Sequence, residues 1–165
     1  MSLEEFKAGL SEQYQGEVIG EVAMNCLLKK FHSPREQYLL GTVLQLETET
    51  KARLRPVVAH LGIDIIESEE SQKMGLALAA AVENLDWKGS MQLLSQALIP
   101  YVGRYQEIAD LAPEEYKAIA DSMVDHERLI QQLYEREATE PDDQAIDDIN
   151  RQLLFPLPRP EGMGD

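Results

Sequence analysis

Positive charge is scarce in this chain: 15 Lys and Arg stand against 30 Asp and Glu, a formal charge of -15. A field of that sign repels phosphate backbones and anionic lipid headgroups, which excludes nucleic acid as a principal partner. No cluster of Lys or Arg suggests a local basic patch. Cysteine is nearly absent. Cys26 stands alone, cannot form an internal disulfide, and reads as a small buried apolar residue. Long apolar runs are missing as well. The longest stretch without a charged side chain, Gly89 to Gly103, is 15 residues and is interrupted by Ser and Gln, so no membrane span is expected. The opening Met1-Ser2-Leu3-Glu4-Glu5 lacks the basic and apolar regions of a secretory signal, and with a lone cysteine this gives a cytoplasmic location as the expectation. A glycine-rich phosphate loop, a nucleophile elbow and zinc-type Cys/His spacing are all missing. So are internal repeats and any strand-like alternation beyond three or four residues.

What remains is helical. With 165 residues, 44% hydrophobic and 27% charged, the chain suits one folded domain over 1–165. Apolar residues at three- and four-residue spacing (Leu3, Phe6, Leu10, Tyr14, Met24, Leu28, Phe31) predict helix A over 3–31. Ser33-Pro34-Arg35-Glu36 reads as a capping box with proline at the first helical position, opening helix B over 34–62. Pro56 falls on its outer face and reads as a kink. An alanine-rich helix over 69–84 serves as a crossover. Asp86 caps helix C over 87–110, and Pro113 opens helix D over 113–138. Pro100 should bend or locally break helix C, because proline removes a backbone donor. A short helix over 141–153 precedes Leu154-Phe155-Pro156-Leu157-Pro158-Arg159-Pro160, which reads as an extended strap on its own domain rather than an SH3-type ligand. The expected class is all-α, an antiparallel four-helix bundle with a helical crossover between B and C.

Four polar residues interrupt the apolar stripes. Glu17 and Glu21 fall in the middle of the helix A stripe, and Glu47 falls near the centre of the arc of Leu39, Val43, Leu54, Val57 and Leu61 on helix B. On helix D, His126 shares the arc of Ile119, Met123, Ile130 and Leu133. Buried carboxylates without partners cost several kcal/mol, so such groups are normally paired or bound to metal. Depth agrees: Glu17 lies about fifteen residues before the A/B turn, Glu47 about fifteen after it, and His126 about fourteen past the C/D turn. One polar layer at mid-bundle follows. Asp125 and Glu127 read as surface or flanking charges, since neighbours along a helix do not share a face. His32, at a turn, and His60, towards the outer face, read as structural. Tyr101 and Tyr105 read as core aromatics whose hydroxyls need partners.

This pattern resembles the ferritin-like diiron-carboxylate superfamily, from about Leu3 to Ala138. The resemblance implies Glu17 (or Glu21) as the helix A ligand, Glu47 as the Glu of the helix B Glu-x-x-His motif and His126 as the His of the helix D motif. It further implies iron or manganese as cofactor and oxidative chemistry on an unidentified small molecule. The chain departs from the pattern at three places. Thr50 stands where helix B should supply histidine, Met123 stands where helix D should supply glutamate, and helix C has no acidic residue on its buried arc. The alternative is a metal-free member of the fold acting as a structural or interaction module, or holding a small ligand. Glu17 and Glu21 would then form a polar seam or ion pairs, Glu47 would pair with Lys51 at i+4, and His126 would be a hydrogen-bonded core histidine. Bundles of this size often pair through a flat helical face, which makes a homodimer a candidate assembly.

Overall fold

The computed structural model describes residues 3–163 and is all-helical, with six helices and no strand among the described residues. In chain order these are α1 (Leu3–Leu27), α2 (Pro34–His60), α3 (Glu69–Ala81), α4 (Trp87–Leu111), α5 (Glu114–Thr139) and α6 (Gln144–Asn150). None is long and apolar enough to cross a membrane.

Local chemistry sets the helix ends. At α2 the Ser33 hydroxyl accepts from the Glu36 backbone N–H and the Glu36 carboxylate accepts from the Ser33 N–H, so two otherwise orphaned donors are satisfied. Asp86 caps α4 by accepting from Gly89 N–H at 2.8 Å, and Ser68 caps α3 through Ser71 N–H at 3.0 Å. α1 ends at Leu27, four residues short of the expected Phe31, and α3 ends at Ala81 rather than residue 84. α6 is confined to 144–150. α4 is unbroken at Pro100, so of the expected bend or local break the break does not occur, and α2 likewise runs through Pro56. Both prolines are exposed, so no packed neighbour has to accommodate the ring.

α1 and α2 pack on each other across the 28–33 turn, and α4 and α5 do so across the 112–113 turn, which makes each pair antiparallel. α1 also packs on α4, and α2 on α5. α3 lies along α1, where Gly75 permits the approach: a Cβ there would meet Val22 and the Ile19 carbonyl.

The core is divided. Phe6, Leu10, Tyr14, Leu54, Val58, Ile108 and Met123 belong to one apolar cluster. Met24, Leu27, Leu39, Leu40, Met91, Leu133 and Ile146 belong to the other. Each fully buried side chain of this size contributes about 1.5–3 kcal/mol. Along α1, α2 and α5 buried polar residues lie between the two clusters: Glu17 on α1, beside the apolar Val18, Glu47, Thr50 and Lys51 on α2, and His126 and Glu127 on α5.

The end near the α1/α2 turn is tied by one guanidinium. Arg35 donates to Glu137 Oε2 and Oε1 at 2.7 and 2.6 Å and to Asp143 at 3.0 Å. Trp87 Nε1 adds a bond of 3.0 Å to Glu137, whose side chain is fully buried. The neighbouring carboxylates hold the Arg35 guanidinium charged against the opposing effect of its partial burial.

The C-terminal segment lies on the domain as an extended strap, as expected from its prolines. Glu49 accepts from the Leu154 and Phe155 N–H groups at 2.7 and 3.0 Å. Leu157 rests against Gly41, where a Cβ would collide with it, and Arg159 donates to Asp147 and Asp143 at 2.7 and 3.1 Å.

Candidate metal centre

Three of the four sequence-derived ligands meet at the polar layer. Glu17, Glu47 and His126 are all buried, and one ligating atom from each lies within 4.8 Å of the others. His126 Nε2 is 3.1 Å from Glu17 Oε2 and 3.4 Å from Glu47 Oε2. For metal–donor bonds of about 2.1 Å, adjacent donors sit about 3.0 Å apart, so this spacing suits one shared ion. Although close, Glu17 Oε2 and His126 Nε2 form no hydrogen bond of acceptable direction, with each other or with any other described group. Two buried atoms with ligand chemistry thus face each other as an ion pair without a well-directed hydrogen bond, which buried polar groups rarely lack. These residues fit a metal ion.

The ring is oriented from its other side. Thr50 Oγ1 lies 3.2 Å from His126 Nδ1. With the proton on Nδ1 donated to the threonine oxygen, Nε2 presents its lone pair to the two carboxylates, the arrangement by which metal-binding histidines are usually fixed. Thr50 therefore supports the histidine of α5.

Glu21 is not part of this cluster. Its carboxylate accepts from Thr48 Oγ1 at 2.7 Å and pairs with Lys51, which also pairs with Glu67 of the segment before α3. The expected Glu47–Lys51 pair is therefore not the one formed. Lys51 is buried, and its ammonium is directed to Glu21 and Glu67, which outweigh the lowering effect of burial and raise its pKa.

Glu127 is a second correction. Read from the sequence as a flanking charge, it is 6% exposed, whereas Asp125 is exposed as expected. Gln13 on α1 is also fully buried, with neither side-chain amide atom hydrogen-bonded. Only its place one turn before Glu17 hinted at this. Tyr105 is buried, with its hydroxyl 3.5 Å from the Gln13 carbonyl, while Tyr101 is half-buried. Two glycines on α1 make room: a Cβ at Gly16 would strike the Tyr105 hydroxyl, and one at Gly20 would strike the Glu47 carboxylate. His32 and His60 are exposed, and Cys26 is half-buried.

Burial pushes the Glu47 carboxyl up to about 8, and the nearby Glu17 adds to the effect while His126 opposes it. Burial alone would lower His126, but Glu17 and Glu47 outweigh it and hold the imidazolium well above its ordinary range. Burial likewise raises Glu127, to about 7. For Glu47 the folded state holds its proton more tightly than the unfolded chain does. Its contribution to stability is therefore complete below the ordinary value of 4.5 and is lost as pH rises towards 8. His126 acts in the same direction, with stability present below 6.5 and lost as pH passes its raised folded value. Thermal melts in the presence of chelator should fall progressively from pH 5 to 9, and Glu47→Gln should flatten that decline. An identical slope in the variant would show that Glu47 keeps an ordinary carboxylate pKa.

No family model matches this sequence, and no curated protein or solved structure shows significant similarity to it.

Proposed function

We propose that the chain is a ferritin-like four-helix bundle, with α1, α2, α4 and α5 as its long helices and α3 as the crossover. In this reading Glu17, Glu47 and His126 hold one iron or manganese ion in service of oxidative chemistry on a small molecule. The observation that carries the proposal is the pair of buried atoms without hydrogen bonds, Glu17 Oε2 and His126 Nε2, 3.1 Å apart at the level of Glu47. Two carboxylates and one imidazole suit iron and manganese better than softer thiophilic ions. Such an ion would supply a redox-active Lewis acid in a site closed off by apolar clusters on both sides. Three donors suit one ion better than two, because Glu21 is held by Lys51 and Thr48.

The chain's own residues would position that ion. Thr50 fixes the His126 ring, and Gly20 leaves the space in which the Glu47 carboxylate sits. Because Glu47 and His126 bind protons tightly without metal, loading should release protons and strengthen as pH rises.

A second reading, a metal-free module, draws support from α4, whose buried polar residues are only Ser90 and Ser95. The polar layer would then be an internal charge pairing of His126 with Glu17. The deciding measurement is the metal content of protein purified without chelator or affinity tag, beside an iron-supplemented sample. Stoichiometric iron or manganese is expected; a well-folded protein free of metal under both conditions would favour the module.

A further inference from the structure

Beside the cluster, α1 to α5 enclose a pocket of about 140 Å³ whose lining includes both Glu47 and Glu127. Its walls are otherwise largely apolar, with Ile19 from α1, Met74 and Leu78 from α3, and Ala97 and Leu98 from α4. An engineered apolar cavity of about 150 Å³ takes up benzene, which sets the scale of occupant at about six to eight heavy atoms. Met74 is 43% exposed, so this wall borders solvent and α3 stands between solvent and the polar layer. The pocket therefore has the lining of a small-molecule site on the scale of a single ring.

Glu127 gives the site its chemical preference. It is buried and forms no hydrogen bond or ion pair with any described residue. It borders the same space as a second carboxylate, Glu47. A buried carboxylate without a partner is costly; the positive charge that acts on Glu127 is that of the adjacent His126, which opposes the effect of its burial without bonding to it, while Lys51 holds Glu21 and Glu67 and Arg104 holds Glu12 and Glu107. A ligand entering the pocket from outside the chain can give Glu127 the direct partner it lacks. Two carboxylates facing one apolar cavity, in a chain of formal charge -15, disfavour an anionic occupant.

We infer that this pocket binds a small organic amine, with its apolar body against Ile19, Leu78, Ala97 and Leu98 and its ammonium paired with Glu127. The inference rests on the proposed function only in making such an amine the small molecule held beside the metal site. Pairing with Glu127 itself requires no metal, so the two readings fail separately.

The test is calorimetric titration of the full chain with benzylamine, toluene and benzoate, with chelator and again after iron loading, with metal content measured on the same samples. Benzylamine should bind at least about tenfold more tightly than either comparator, the effect of one charge-assisted bond. Glu127→Gln should remove that preference, leaving benzylamine and toluene alike, while metal content stays at the wild-type level. Ala97→Leu, which fills the pocket from α4, should block both ligands. If Glu127→Gln does not fold, the ligand series on wild type and the Ala97→Leu result decide. Benzylamine binding no tighter than toluene, or unchanged in either folded variant, overturns the inference whatever the metal content. Preferential binding by a metal-free wild type would support the pocket and overturn the metal centre alone.

Discussion

Protein carrying Glu17→Ala and Glu47→Ala together is expected to come through chelator-free purification without iron or manganese, whereas the wild type, on the proposed function, should keep about one ion per chain. The substitutions remove two of the three clustered donor residues and leave His126 alone with Thr50. A single imidazole cannot retain such an ion against buffer and water. The fold should survive, because the variant deletes two carboxylates whose burial is itself unfavourable and leaves both apolar clusters intact. A melting curve on the same sample distinguishes lost ligands from lost structure. Glu47→Gln alone keeps the shape of the side chain and should lower metal content less completely. Equal metal content in wild type and a folded double variant would exclude Glu17 and Glu47 as ligands.

Arg35→Met should be the most destabilising single substitution at the other polar anchor of the fold. Among the described residues Arg35 is the only cation bonded to the fully buried Glu137, and without it that carboxylate keeps only the Trp87 N–H. Breaking a buried pair from one side costs about 3–5 kcal/mol, which for a domain of this size lowers Tm by about 10 °C. The double change Arg35→Met/Glu137→Met should recover part of this loss, because no uncompensated charge then remains buried. Thermal melts of the three variants measure the coupling. A melting temperature within about 2 °C of wild type for Arg35→Met would mean that Glu137 finds another partner or is hydrated.

The contrast between these two sites shows what residue spacing reveals. Glu17, Glu47 and His126 interrupt apolar stripes at equal depth from their turns, and each is buried at one level. Glu137 is invisible to the same reasoning. Its partner, Arg35, is 102 residues away in sequence, and nothing on α5 itself points to it. The capping box at Ser33 and the cap at Asp86 were legible because a cap involves residues three apart on one chain segment. The exact ends of α1 and α3 were less so: the chain turns at 28–30 and at 82–84 even though Leu27, Phe31 and Val82 are buried there.

Glu17 and Glu21 mark the boundary most clearly. They share a stripe on α1, but one further turn rotates a side chain by about 40°, enough to place it against a different neighbour. Glu21 consequently meets Thr48 and Lys51, whereas Glu17 meets His126. Glu127 follows the same logic, since a residue next to His126 looks like a flank on a wheel and is buried only because α4 packs so closely on α5. The amino-acid sequence by itself determined the helices, their caps and the depth of the polar layer, all of which depend on spacing along one helix. Only the tertiary structure decided which carboxylates share the histidine and which is neutralised by lysine, because that choice depends on the angles between helices and the reach of side chains across them.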